Sequence, residues 1–232
     1  MSTNISIRNI AIIAHVDHGK TTLVDQMFRQ AGLFRENQQV GERLMDNMDL
    51  EKERGITISA KNCAVRWGEV KINILDTPGH QDFAEDTFRT LTAADSVIVV
   101  IDVAKGVEPQ TEKLVKVCRM RKTPIIVFIN KLDRIGKDAF DLLDQIEGKL
   151  GVKVRPLTWP IGMGPDLKGV YNLYEKSLIL YTPNSTERVS ETLAISDISD
   201  SELDNQIGDE DAEILAISDI SDSELDNQIG DE

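Results

Sequence analysis

The most restrictive feature of the chain lies near its start. An uninterrupted apolar run, Ile10-Ala11-Ile12-Ile13-Ala14, leads directly into His15-Val16-Asp17-His18-Gly19-Lys20-Thr21-Thr22. A run of that kind suits a strand buried on both faces of a parallel sheet. Leu23, Val24, Met27 and Phe28 then recur at helical spacing until Gly32. A buried strand that feeds a Gly-Lys-Thr loop into a helix start sets backbone amides and the positive helix end around one point, where an anionic group is stabilised.

Three further loops follow in order. Arg54-Gly55-Ile56-Thr57-Ile58 closes a polar stretch, residues 33–58, with little periodicity. That stretch is too long for an ordinary connector and suits a switch segment that orders around a ligand. Ala60–Trp67 and Val70–Leu75 flank Gly68-Glu69 and read as a hairpin, whose second strand delivers Asp76-Thr77-Pro78-Gly79-His80. Ser96–Ile101 reads as another buried strand, and Pro124–Ile129 as the strand that presents Asn130-Lys131-Leu132-Asp133. Helices are expected over Phe83–Ala93, from Pro109 to about Arg121, and over Ala139–Leu150 before Gly151. The alternation predicts an α/β fold with a doubly wound, mostly parallel sheet, one antiparallel hairpin strand, and ligand at the carboxyl ends of the strands.

Each loop supplies a different chemistry. Backbone amides from Val16, Asp17, His18, Gly19, Lys20, Thr21 and Thr22 are placed to wrap α- and β-phosphates, with Lys20 bridging β and γ. The hydroxyls of Thr21 and Thr57 and the Asp76 carboxylate form an oxygen set for Mg2+. Gly79 has no side chain, so its amide can approach a γ-phosphate, and His80 can orient an attacking water. The Asp133 carboxylate accepts both N1–H and the N2 amine of guanine, which adenine does not offer. Asn130 would hold the base edge and tie back to the phosphate loop, while the Lys131 stem covers a ring face. A site built on such hydrogen bonds can reject the wrong base by roughly 10⁴–10⁵. Each loop alone is a modest signal, and Thr57 alone reads as an ordinary loop residue. Together they predict a P-loop GTPase (G domain) that binds GTP and GDP and hydrolyses GTP to GDP and phosphate, slowly, since no catalytic arginine is evident. A two-metal hydrolase reading, H-x-H-x-D-H, fails because Ile13 stands two positions before His15. The plainer role for His15 and His18 is to shape the phosphate loop.

Composition separates the chain into a body and a tail. The formal charge is −14, yet residues 191–232 hold fifteen acidic and no basic side chains, which leaves the first 190 at +1. Within the tail, Leu193–Glu210 recurs letter for letter as Leu215–Glu232. Each copy has a possible capping box, Ser199 with Glu202 and Ser221 with Glu224. Charge and scarce aromatics favour a solvated tail. The expected division is a GTP-binding core at 1–155, an insertion at 156–190 and an acidic tail at 191–232. Cys63 and Cys118 read as free thiols. With no long apolar span and no signal-peptide pattern, the expectation is a cytoplasmic monomer with no membrane or DNA partner.

The motifs A-H-V-D-H-G-K-T, R-G-I-T-I, D-T-P-G-H and N-K-L-D resemble those of the translational GTPases. The resemblance implies activation of His80 by ribosomal RNA rather than by an arginine finger. Residues 9–80, with AHVDHGKTTLVDQM and DLEKERGITI, are similar to the BipA/TypA ribosome-associated GTPases. Residues 76–176, with DFAEDTFRTLTAADSVIVVIDVAKGVE and LTWPIGMGPDLKGVYNLYEK, look like the peptide chain release factor 3 group. The shared Asp76–His80 stretch would mask a hybrid junction. The family's fifth guanine loop has no counterpart after residue 155, so a last strand and helix are expected to be missing.

Overall fold

A computed structural model describes residues 6–32, 44–45, 51, 53, 57–80, 84–181 and 192–194. Most of the expected switch segment, Arg54–Ile56 included, and both capping boxes of the tail lie outside the described residues. Contacts divide the chain into two units, one of residues up to Lys131 with Phe140–Val152, the other of Leu132–Ala139 with the described residues from Lys153.

In the first unit β1 (Ser6–Ala14), β2 (Lys61–Trp67), β3 (Val70–Asp76), β4 (Ser96–Asp102) and β5 (Ile125–Asn130) form one sheet in the order β2-β3-β1-β4-β5. Only β2, the other arm of the hairpin with β3, runs antiparallel. The apolar runs of the inner strands fall where the sheet is covered on both faces: Ala11–Ala14 of β1 and Val99–Ile101 of β4 are buried, whereas the run of the edge strand β5 leaves Ile126 and Phe128 exposed. β1 begins four residues before its apolar run, because Ser6–Asn9 pair with Val70–Asn73, and polar residues at a strand start leave no periodic mark. The helices α1 (Lys20–Gln30), α2 (Ala84–Leu91), α3 (Pro109–Met120) and α4 (Ala139–Leu150) follow their strands. Val24 and Phe28 of α1 join Ile12, Ala14, Val65, Ile74 and Val100 in one buried cluster. At about 25 cal/mol per Å2, such side chains each contribute about 1.5–3 kcal/mol when fully buried.

Register decides where chemistry can occur. Ile12 pairs with Asp76, Ala14 with Val100, and Asp102 with Asn130. The residues that follow β1, β3, β4 and β5 therefore emerge along one edge of the sheet, as a parallel arrangement requires.

The second unit carries an antiparallel sheet, β6 (Thr158–Ile161), β7 (Gly169–Asn172), β8 (Ser177–Leu180) and β9 (Thr192–Ala194), in chain order. Trp159, Ile161, Tyr171 and Leu178 are its buried apolar side chains. The stretch beginning at residue 191 was expected as solvated tail, but its first part, β9, pairs along β8. A three-residue strand carries too little pattern to stand out against acidic neighbours. Among the described residues, no helix is long and apolar enough to cross a membrane.

Candidate functional site

The loop between β1 and α1 is shaped by two left-handed residues, Asp17 (φ 66°) and Gly19 (φ 94°). Aspartate tolerates that conformation better than most side chains, and glycine adopts it freely. At Gly19 a side chain is excluded a second time, because a Cβ there would run into the Asn130 amide.

Two residues at the end of β5 tie this loop down. Asn130 donates from Nδ2 to the His18 carbonyl at 2.9 Å. Lys131 donates to the Asp17 carbonyl and ion-pairs with Asp102 at 2.7 Å. In a trans peptide the carbonyl and the next N–H point opposite ways, so fixing the His18 carbonyl on Asn130 turns the Gly19 N–H away from it. Asp102 is itself held by N–H donation from Ala104 at 2.9 Å and Lys105 at 3.3 Å. Burial would raise its pKa, but the Lys131 ammonium and these amides outweigh burial and hold the carboxyl below the ordinary value.

The loop opens on a cleft of about 240 Å3, lined by His15, Val16, Asp17, Gly19, Lys20, Thr21, Thr22, Thr57, Gly79, His80 and Lys131. Gly79 lies against the loop's start, where a Cβ would stand 3.1 Å from the Ala14 carbonyl oxygen. Thr77 and Thr87 brace that segment, donating to the Ile12 carbonyl at 2.7 Å and the Pro78 carbonyl at 3.1 Å.

Lys20 is buried and its ammonium pairs with Asp76, whose side chain is fully enclosed. The same Nζ lies 3.3 Å from the Thr57 hydroxyl. A cation thus already sits between two of the three oxygen ligands expected for Mg2+. The donor set, hydroxyls with one carboxylate, is the hard, sparse kind that Mg2+ takes together with phosphate and water. On that test these residues fit the ion.

Of the expected site residues, ten line the cleft. His18, Asp76 and Asn130 lie behind it as supports. Asp133 belongs to the second unit, in the exposed turn that follows Lys131. Sequence reasoning missed Asp102, which ends β4 as Asn130 ends β5, and Glu108, whose only signal is its place before Pro109. Glu108 faces both histidines of the loop, 2.7 Å from His18 Nε2 and 3.5 Å from His15 Nε2. Burial depresses the His15 pKa, with Glu108 pulling the other way and outweighed.

This combination of sheet order, loop and helix defines the class as a P-loop G domain. A family model described as the elongation factor Tu GTP binding domain matches residues 5–226. The chain belongs to that family. It also superimposes on a crystal structure of a protein from Thermus thermophilus with a TM-score of 0.72 at 22% identity, over 97% of this chain and 33% of that one. That likeness is one of fold, and the chain spans about a third of the other protein's length.

Proposed function

We propose that the chain is a translational GTPase domain that hydrolyses GTP to GDP and phosphate in a ribosome-dependent step, most like that of peptide chain release factor 3. The observation that carries this reading is the Lys20 ammonium held against Asp76 and Thr57 beside a loop whose Asp17 and His18 carbonyls are held by Lys131 and Asn130. When nucleotide enters, Lys20 exchanges Asp76 for the β- and γ-phosphates. Thr21, Thr57 and Asp76 would hold Mg2+, which when bound would offset phosphate charge. The Gly79 amide contacts the γ-phosphate. His80 orients water for in-line attack, and Asp133 with Asn130 and Lys131 selects guanine. The resemblance of residues 76–176 favours the release-factor group and a place in termination, in the cytoplasm.

Among the described residues the cleft lining contains no arginine, so this reading leaves charge stabilisation at the transferred phosphoryl to a partner. Phosphate release under multiple turnover, with and without ribosomes, tests the reading. Slow release alone and marked stimulation by ribosomes are expected; no stimulation contradicts it.

A further inference from the structure

Glu108 directly precedes α3, with extended backbone (φ −104°, ψ 157°) and Pro109 at the first helical position. A residue before proline is strongly biased toward that region, which narrows the direction in which its side chain leaves the backbone. A short polar residue such as Ser, Thr, Asp or Asn at such a site ordinarily caps its own helix. Glu108 makes no such bond. Its carboxylate turns to the phosphate loop instead, 90 positions earlier, and meets His18 Nε2 at 2.7 Å.

The His18 side chain is fully buried, and its other nitrogen, Nδ1, lies 3.2 Å from the Val100 carbonyl and 3.3 Å from the Asp102 amide. These two neighbours ask for opposite things. The carbonyl needs a donor at Nδ1, while the amide needs an acceptor. A carboxylate at Nε2 makes that nitrogen the donor, and in the Nε2–H tautomer Nδ1 is the acceptor that the Asp102 amide needs. Asp102 in turn pairs with Lys131, which donates to the Asp17 carbonyl, while the His18 carbonyl is held by Asn130. The side chain and the backbone of His18 are thus fixed by different partners. A metal ion does not explain the cluster, since among the described residues no group of three His, Cys, Asp or Glu is arranged to hold one.

We infer that Glu108 is a positioning residue for the phosphate-binding loop. By fixing the tautomer and orientation of His18 it sets the geometry that the loop presents to a nucleoside diphosphate. The inference rests on the GTPase reading above.

The test compares wild type, Glu108→Ala and Glu108→Gln by the rate of GDP release and by the 15N shifts of His18. Losing a hydrogen bond to a charged acceptor should speed release about tenfold or more in Glu108→Ala. Glu108→Gln keeps an acceptor and should stay within about threefold of wild type, which separates positioning from general loss of fold. The His18 shifts should show Nε2–H in wild type and in Glu108→Gln, and a mixture or the other tautomer in Glu108→Ala. Unchanged release from Glu108→Ala in a chain that binds GDP overturns the Glu108 inference alone, as do equal losses in both variants or unchanged His18 shifts. A wild-type chain that binds no GDP overturns the GTPase reading, and the role of Glu108 in nucleotide binding with it.

Discussion

The Asn130 side-chain amide donates to the backbone carbonyl of His18, 2.9 Å away and 112 positions earlier in the chain. One hydrogen bond thus joins the loop expected to read the base to the loop expected to hold the phosphates. Asn130→Ala leaves the His18 carbonyl without this donor, which costs about 1–3 kcal/mol when the group stays unsatisfied. The expected result is GDP binding weakened by roughly ten- to hundredfold with little change in the far-ultraviolet spectrum. Calorimetry that finds equal affinities contradicts this account of the link.

Lys20 and Asp76 present a second, buried coupling. Truncating one partner of a buried ion pair is usually far worse than replacing both with apolar groups. Lys20→Ala should therefore destabilise the fold by about 3–5 kcal/mol. Lys20→Met combined with Asp76→Leu should recover much of that loss while still failing to bind nucleotide. Urea denaturation of the three proteins checks the order. A double variant less stable than Lys20→Ala would show that an unpaired buried carboxylate is not what weakens the single variant.

Stability should also fall in mild acid. The folded state depresses the His15 pKa from its ordinary 6.5, chiefly through burial, so the unfolded chain takes up its proton first as pH drops. Its contribution is complete above about pH 6.5 and is lost as pH falls through the lower folded value. Asp102, also depressed, adds a second loss in stronger acid, below its ordinary value of 3.8. Urea midpoints across this range should decline in two stages, and His15→Gln should flatten the first. A first stage unaltered by that substitution would assign it to another group.

Asp133→Asn should move the preferred base from guanine toward xanthine, because an amide can donate where the carboxylate accepted. Competition between GDP and xanthosine diphosphate reads this directly. An unchanged ranking removes Asp133 from base selection.

Much of this organisation is legible in the sequence because its determinants are local. Ile10–Ala14 and Ser96–Ile101 announce buried strands by composition, and Gly19-Lys20-Thr21 marks the loop between strand and helix. Supports formed through space are not legible. Nothing near Glu108 indicates that its carboxylate meets His18 rather than capping α3, since the contact depends on the pairing of β1 with β4. The same holds for Asp102 with Lys131, which the pairing of β4 with β5 brings side by side. Thr192–Ala194 escaped for a different reason, because its strand character comes from β8 as a template rather than from its own residues.

The most direct test is a calorimetric titration of the purified chain with GDP and, separately, with ADP, each with magnesium and again with EDTA. The account requires saturable GDP binding that EDTA weakens, and ADP binding weaker by several orders of magnitude. Equal affinity for the two nucleotides, or no heat from either, contradicts it.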